Sequence, residues 1–227
     1  MTVIIALASA THGVVASDGR CFGSAKIENG KVVQPADVDS DSFDKTFSVG
    51  KGEIIGAVAG LMSFSGRAAI EHIADVINGG EMESITFDAV IEKVREKIGE
   101  KLKQISDQEV LFSYRKLDLL LVAGENLAPL KLSIAAIRFF PSGNEILSTK
   151  DVVTPFYREK RFYAFGEDNA REAAGRALKN DHAPNCDIAF LKMLGRRAIQ
   201  AGIQAAGVCL HGVAPACGGS VFVKILE

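Results

Sequence analysis

The sequence predicts an α+β protein in which two antiparallel sheets stack and each carries a pair of helices on its outer face. Three observations predict it. Short β-rich runs open the chain, recur in its middle and close it; two intervals between them switch to a helical apolar period; and 48% of the 227 residues are hydrophobic, enough for a substantial core in one domain spanning 1–227. The order strands, two helices, strands, two helices, strands lets each sheet bury one face on the other sheet and one under helices. Helices on only one face of the sheets are the competing arrangement.

Thr2 to Ala8 and Gly13 to Ser17 are β-branched runs separated by the turn-like SATHG, so the chain begins on a paired strand. A hairpin follows around KIENGKVV, where Asn29 and Gly30 tolerate the positive φ of a tight turn. After the acidic loop ADVDSDSFD come the strands KTFSV and EIIGAVA, with the GKG of Gly50 to Gly52 as a turn between them. From Ser65 to Asn78 the residues Ala69, Ile70, Ile73, Ala74 and Ile77 recur at helical spacing, and Gly79 and Gly80 stop the helix. A second stripe, Phe87, Val90, Ile91, Val94, Ile98, Leu102 and Ile105, predicts another helix with Thr86 as its N-cap. LDLLLVAG, APLKLSIAAIRFF and RFYAFG read as strands, Asp168 to Lys179 and Ile188 to Ala205 as helices, and VCLHG and GSVFVKIL as closing strands.

Twenty-six basic against twenty-eight acidic residues leave a net charge of −2, which points away from nucleic acid and from an anionic membrane. No apolar run approaches the roughly 20 residues that span a bilayer. The four cysteines, Cys21, Cys186, Cys209 and Cys217, form no CxxC pair and suit a reduced compartment, so a cytoplasmic protein is expected. Cys209, His211 and Cys217 lie near one another in sequence, but alternation in VCLHG makes them ordinary strand residues, and neither a metal nor a cofactor is expected.

Common nucleophile signatures are absent: no GxSxG elbow, Walker loop or HExxH occurs, and His12, His72, His182 and His211 are scattered. Thr2 is different. A threonine at a mature N-terminus carries its own general base, an α-amine with an ordinary pKa of roughly 8, beside its hydroxyl. That chemistry requires removal of Met1 and a rigid strand to hold the nucleophile.

Thr2, Asp18 within GVVASDGR, Lys45 within FDKTFSV and Gly60 within GAVAGL, in that order and near those spacings, resemble the β-type subunits of the proteasome and their bacterial relative HslV. Read singly, Asp18 is a turn former, Lys45 a solvated lysine at a strand edge and Gly60 a turn glycine. The resemblance covers most of the chain, including AFGEDNAREAAGRAL, and is greatest to bacterial homologues such as the betaproteobacterial proteasome homologue. It implies the four-layer αββα sandwich of N-terminal-nucleophile hydrolases and a threonine-type endopeptidase. In the implied mechanism Thr2 attacks, Lys45 lowers the pKa of the amine and favours the alkoxide, Asp18 holds Lys45, and the Gly60 N–H faces the oxyanion. Cys21, Val58 and Met62 would meet substrate side chains, with preference for an apolar residue before the scissile bond. It further implies a homo-oligomer of two stacked rings of six or seven subunits, unfolded polypeptide substrates and an ATP-dependent unfoldase partner.

The chain departs from that pattern at two places. GED puts Glu167 at or next to the place of a family serine near the amine, where an ionised carboxylate would stabilise the protonated, non-basic amine. VAPACGGS offers Ala214 and Cys217 where an Asp and a Ser precede paired glycines. A catalytically silent ring-forming shell is therefore the alternative expectation.

Overall fold

The computed structural model describes residues 2–23, 26–28, 31–34, 36–79, 86–105, 116–124, 131–142, 145–155, 159–179, 187–208 and 214–226. Two sheets and four α-helices organise them. The nine strands of these sheets are β1 Val3–Ala8, β2 Gly13–Asp18, β3 Thr46–Val49, β4 Ile54–Gly60, β5 Leu117–Gly124, β6 Leu132–Ser142, β7 Glu145–Val153, β8 Arg161–Gly166 and β9 Val221–Leu226. The helices are α1 Ala69–Asn78, α2 Phe87–Lys103, α3 Asp168–Lys179 and α4 Ile188–Ala205. One sheet runs β8-β1-β2-β9 and the other β7-β6-β5-β4-β3, with every pairing antiparallel.

The chain start is thus central in its sheet, with all six residues of β1 buried between β2 and β8. Alternation divides this strand between two cores. Val3, Ile5 and Leu7 pack with Ala170, Ala174, Leu191 and Leu194 of α3 and α4, whereas Ile4, Ala6 and Ala8 pack with Ile55, Ala57, Leu120 and Ile134 of the five-stranded sheet. A third core joins Leu117, Leu119 and Leu121 of β5 to Ile73, Ile77, Val90, Ile91 and Val94 of α1 and α2. Strands with both faces buried read as unbroken apolar runs, and this is why VIIALA and LDLLLVAG were legible as strands.

Three expectations change, and one strand is added. The first helix starts at Ala69, not Ser65: Ser65 and Gly66 both have positive φ and turn a small hairpin pairing Ser63–Phe64 with Arg67–Ala68. The acidic loop contains a strand, Val38–Ser40, paired with Cys21–Phe22. β7 is an edge strand beside β6 whose apolar residues Ile146, Leu147, Val152 and Val153 fall in two end pairs around a polar run, so it shows no strand period. Lys45 lies just before β3, not within it, though its carbonyl still accepts the Val58 N–H at 3.1 Å.

Thr86 caps α2, accepting the Ala89 N–H at 3.3 Å, and Gly50–Gly52 forms a 3₁₀ turn. In the KIENGKVV hairpin Lys26–Glu28 pairs with Lys31–Gln34, while Asn29 and Gly30 lie outside the described residues. So do Met1, His182, Cys186, Cys209 and His211. Among the described residues no helix is long and apolar enough to cross a membrane, and no cluster of three or more His, Cys, Asp or Glu could hold a metal ion.

Candidate active site

The pairing of β1 with β2 sets Ile4 opposite Ser17, which brings Asp18 beside the residues that begin β1. Asp18 Oδ1 accepts hydrogen bonds from the Thr2 hydroxyl and from the Val3 N–H at 3.0 Å. Asp18 Oδ2 accepts the N–H groups of Gly218 at 3.0 Å and Arg20 at 3.3 Å. The Lys45 ammonium completes the cluster. It lies 2.5 Å from Thr2 Oγ1, 2.9 Å from Asp18 Oδ1, 2.9 Å from the Asp18 carbonyl and 2.6 Å from the Arg20 carbonyl.

Asp18 and Lys45 have no exposed surface and Thr2 is 2% exposed. Burying two charges costs several kcal/mol each unless their remaining donors and acceptors are filled, and here the partners just described fill them. The cation also donates to the hydroxyl oxygen, where it can offset negative charge that develops there. The Thr2 oxygen is thus held between a lysine and a carboxylate. Two thiols border this centre. Burial pushes both the Cys217 and the Cys21 thiols up; the Asp18 charge adds to the rise at Cys217, and the Lys45 charge opposes it at Cys21.

The Thr2 main chain is fixed from the other side by the β8–α3 turn. The Glu167 N–H donates to the Thr2 carbonyl at 3.0 Å, and Gly166 adopts φ 134°, with any Cβ there falling 1.9 Å from the Thr2 oxygen. Only glycine allows so close an approach. The Glu167 carboxylate is engaged by the helix: Oε2 accepts the Ala170 N–H at 2.8 Å, capping α3 where the helix dipole favours a negative charge.

Thr2, Asp18 and Lys45, the first and the last 43 positions apart in sequence, are therefore assembled into one hydrogen-bonded group. Gly60 ends β4 two residues beyond Val58, at φ 88° with space closed by the Lys116 carbonyl. Val58, expected on a substrate pocket, has no exposed surface and packs in the core under α1 and α2; Met62 is partly exposed against the same core. Cys21 is half-buried in its short strand beside Ser40.

Arg20, Asp41, Gly166 and Gly218 also belong to the site. Arg20 follows Asp18 in the quoted SDGR, and Gly218 belongs to the quoted paired glycines, but their partners lie far off in the chain and no local pattern indicates them.

No family model matches the chain, and no curated protein matches it. Among solved structures the chain is similar to Anbu (ancestral beta-subunit) from Yersinia bercovieri, with a TM-score of 0.61 at 12% identity over 99% of this chain and 82% of that one. The chain shares that fold. The expected placement with the proteasome β-type and HslV family, nearest the betaproteobacterial homologue, is corrected: neither kind of sequence comparison supports it, and 12% identity establishes a common fold alone.

Proposed function

We propose that the chain is an N-terminal-nucleophile hydrolase of peptide bonds with Thr2 as the attacking residue. The hydrogen bond from the buried Lys45 ammonium to Thr2 Oγ1 carries the reading. In the reaction, Oγ1 bonds to the peptide carbonyl carbon and its proton passes to the α-amine of Thr2, exposed once Met1 is removed. The amine gives that proton to the leaving nitrogen as the C–N bond breaks, and water then hydrolyses the ester. Lys45 stabilises the developing alkoxide, Asp18 holds Lys45, and the Gly60 N–H faces the tetrahedral oxyanion, where loss of a donor costs about 3 kcal/mol. Glu167 serves through its main chain, anchoring the Thr2 carbonyl.

The three cores support a single domain with the layer order helix pair, five-stranded sheet, four-stranded sheet, helix pair. The similar structure is by its name a subunit, which supports self-assembly, and stacked rings of six or seven copies acting on unfolded polypeptide delivered by an ATP-dependent partner are the form we propose. A shell without turnover is the second reading, favoured by the burial of Val58 and Thr2 in the single chain. Cleavage of an unfolded polypeptide by the assembled wild type, set against Thr2→Ala, separates the two.

A further inference from the structure

We infer that Arg20 and Asp41 are a positioning pair that fixes the Lys45 ammonium against the Thr2 hydroxyl, a role that rests on the hydrolase reading above. The Arg20 main chain is already part of the centre: its carbonyl accepts from Lys45 at 2.6 Å and its N–H donates to Asp18 Oδ2 at 3.3 Å. Its side chain ties together the other two segments that supply the site. Nε and Nη2 form a bidentate pair with Asp41 Oδ1 and Oδ2 at 2.6 and 3.0 Å, and Nη1 donates to the Pro215 carbonyl at 3.2 Å.

Each tie ends close to a group that the nucleophile needs. Asp41 lies four residues before Lys45, and the chain between them is pinned by the Phe43 N–H on the Gly19 carbonyl at 2.9 Å. Pro215 lies three residues before Gly218, whose N–H binds Asp18 Oδ2 at 3.0 Å and whose missing side chain leaves room for the guanidinium. The Ser220 N–H closes the loop on the Asp41 carbonyl at 2.8 Å. One planar fork therefore sets the register of the Lys45 segment, the Asp18 turn and the glycine pair together, a geometry that a point charge does not supply. The pair is part-exposed, 17% for the Arg20 side chain and 50% for Asp41, so it sits at the rim of the site and touches no reacting atom. Its place in the mechanism is to hold the cation that does.

Two readouts on the assembled protein test this. In turnover of an unfolded polypeptide, Arg20→Gln and Asp41→Ala should each lower kcat about 10- to 100-fold with KM changed by less than about twofold, since misplacement of a catalytic group by ~1 Å costs about that much. Asp41→Glu, which keeps the carboxylate, should recover most of the loss. In nitrogen-detected NMR of lysine ammonium groups, the signal missing from Lys45→Met identifies Lys45, and it should be lost or displaced in Asp41→Ala yet unmoved in Asp75→Ala, which breaks the remote surface pair with Arg67. If Arg20→Gln does not fold, Arg20→Lys keeps the charge without the fork and should show the same kcat loss. Lys45 signal and kcat both unchanged in Asp41→Ala overturn the inference. Should the wild type show no turnover at all, the hydrolase reading fails, and the ammonium signal alone still decides whether the pair positions Lys45.

Discussion

Lys45 Nζ and Thr2 Oγ1 stand 2.5 Å apart, and both are bonded to the same oxygen, Asp18 Oδ1. Removing the lysine leaves a carboxylate with no exposed surface and without its ion-pair partner, a loss of about 3–5 kcal/mol in buried pairs. Lys45→Ala should accordingly abolish turnover and also lower stability by several kcal/mol. Chemical denaturation with parallel activity assays checks this. A variant that keeps wild-type turnover would remove Lys45 from the mechanism.

Glu167 caps α3, and its carboxylate is bound to the Ala170 N–H at 2.8 Å. Loss of such a cap costs about 1 kcal/mol. Glu167→Ala should lower stability by about that amount and leave the pH–rate profile where it is, because the group reaching Thr2 is the main-chain N–H. A profile moving to lower pH in the variant would mean that the carboxylate does act on the amine.

The hydrogen bond with Arg20 holds the Asp41 carboxyl below the usual carboxylate range. Its folded-state pKa is depressed, so the stabilisation is full above the unfolded value of about 4 and disappears as pH falls through the lower folded value. Asp41 is half exposed, which limits the pair to roughly 0.5–1 kcal/mol. The difference in unfolding free energy between wild type and Asp41→Asn should be constant above about pH 5 and shrink below about pH 4. A gap independent of pH down to 2 would contradict the assignment.

Assembly gives a fourth test. Closed rings of six or seven copies, stacked in pairs, should scatter light as about 12 to 14 chains, as closed cyclic symmetry requires. A monomer at micromolar concentration would remove the assembly from the account.

Most strands and all four helices were legible because each buries an apolar stripe of regular period, and β1 and β5 because both of their faces are buried. β7 was not legible, since its apolar residues sit in two end pairs around the polar run 148–151 of an edge strand and follow neither period. Within the site, Thr2, Asp18 and Lys45 were found by residue type and order. The Arg20–Asp41 fork and the Gly218 N–H were not, because a bidentate ion pair and a main-chain donor leave no periodic trace and form only when distant segments meet. Val58 was expected on a pocket wall from the resemblance alone, but strand alternation turns its side chain into the core under α1 and α2. Glu167 was placed near the amine from the position of a family serine; in the structure its Oε2 accepts the Ala170 N–H in the first turn of α3.

The central claim is that Thr2 is a free, activated nucleophile. The most direct measurement is the intact and peptide-mapped mass of the purified assembly before and after exposure to an electrophile that bridges a hydroxyl and an adjacent amine. The expected result is a chain lacking Met1 and a single adduct on Thr2, absent from Thr2→Ala. Met1 retained on every copy, or an adduct that persists in Thr2→Ala, would contradict it.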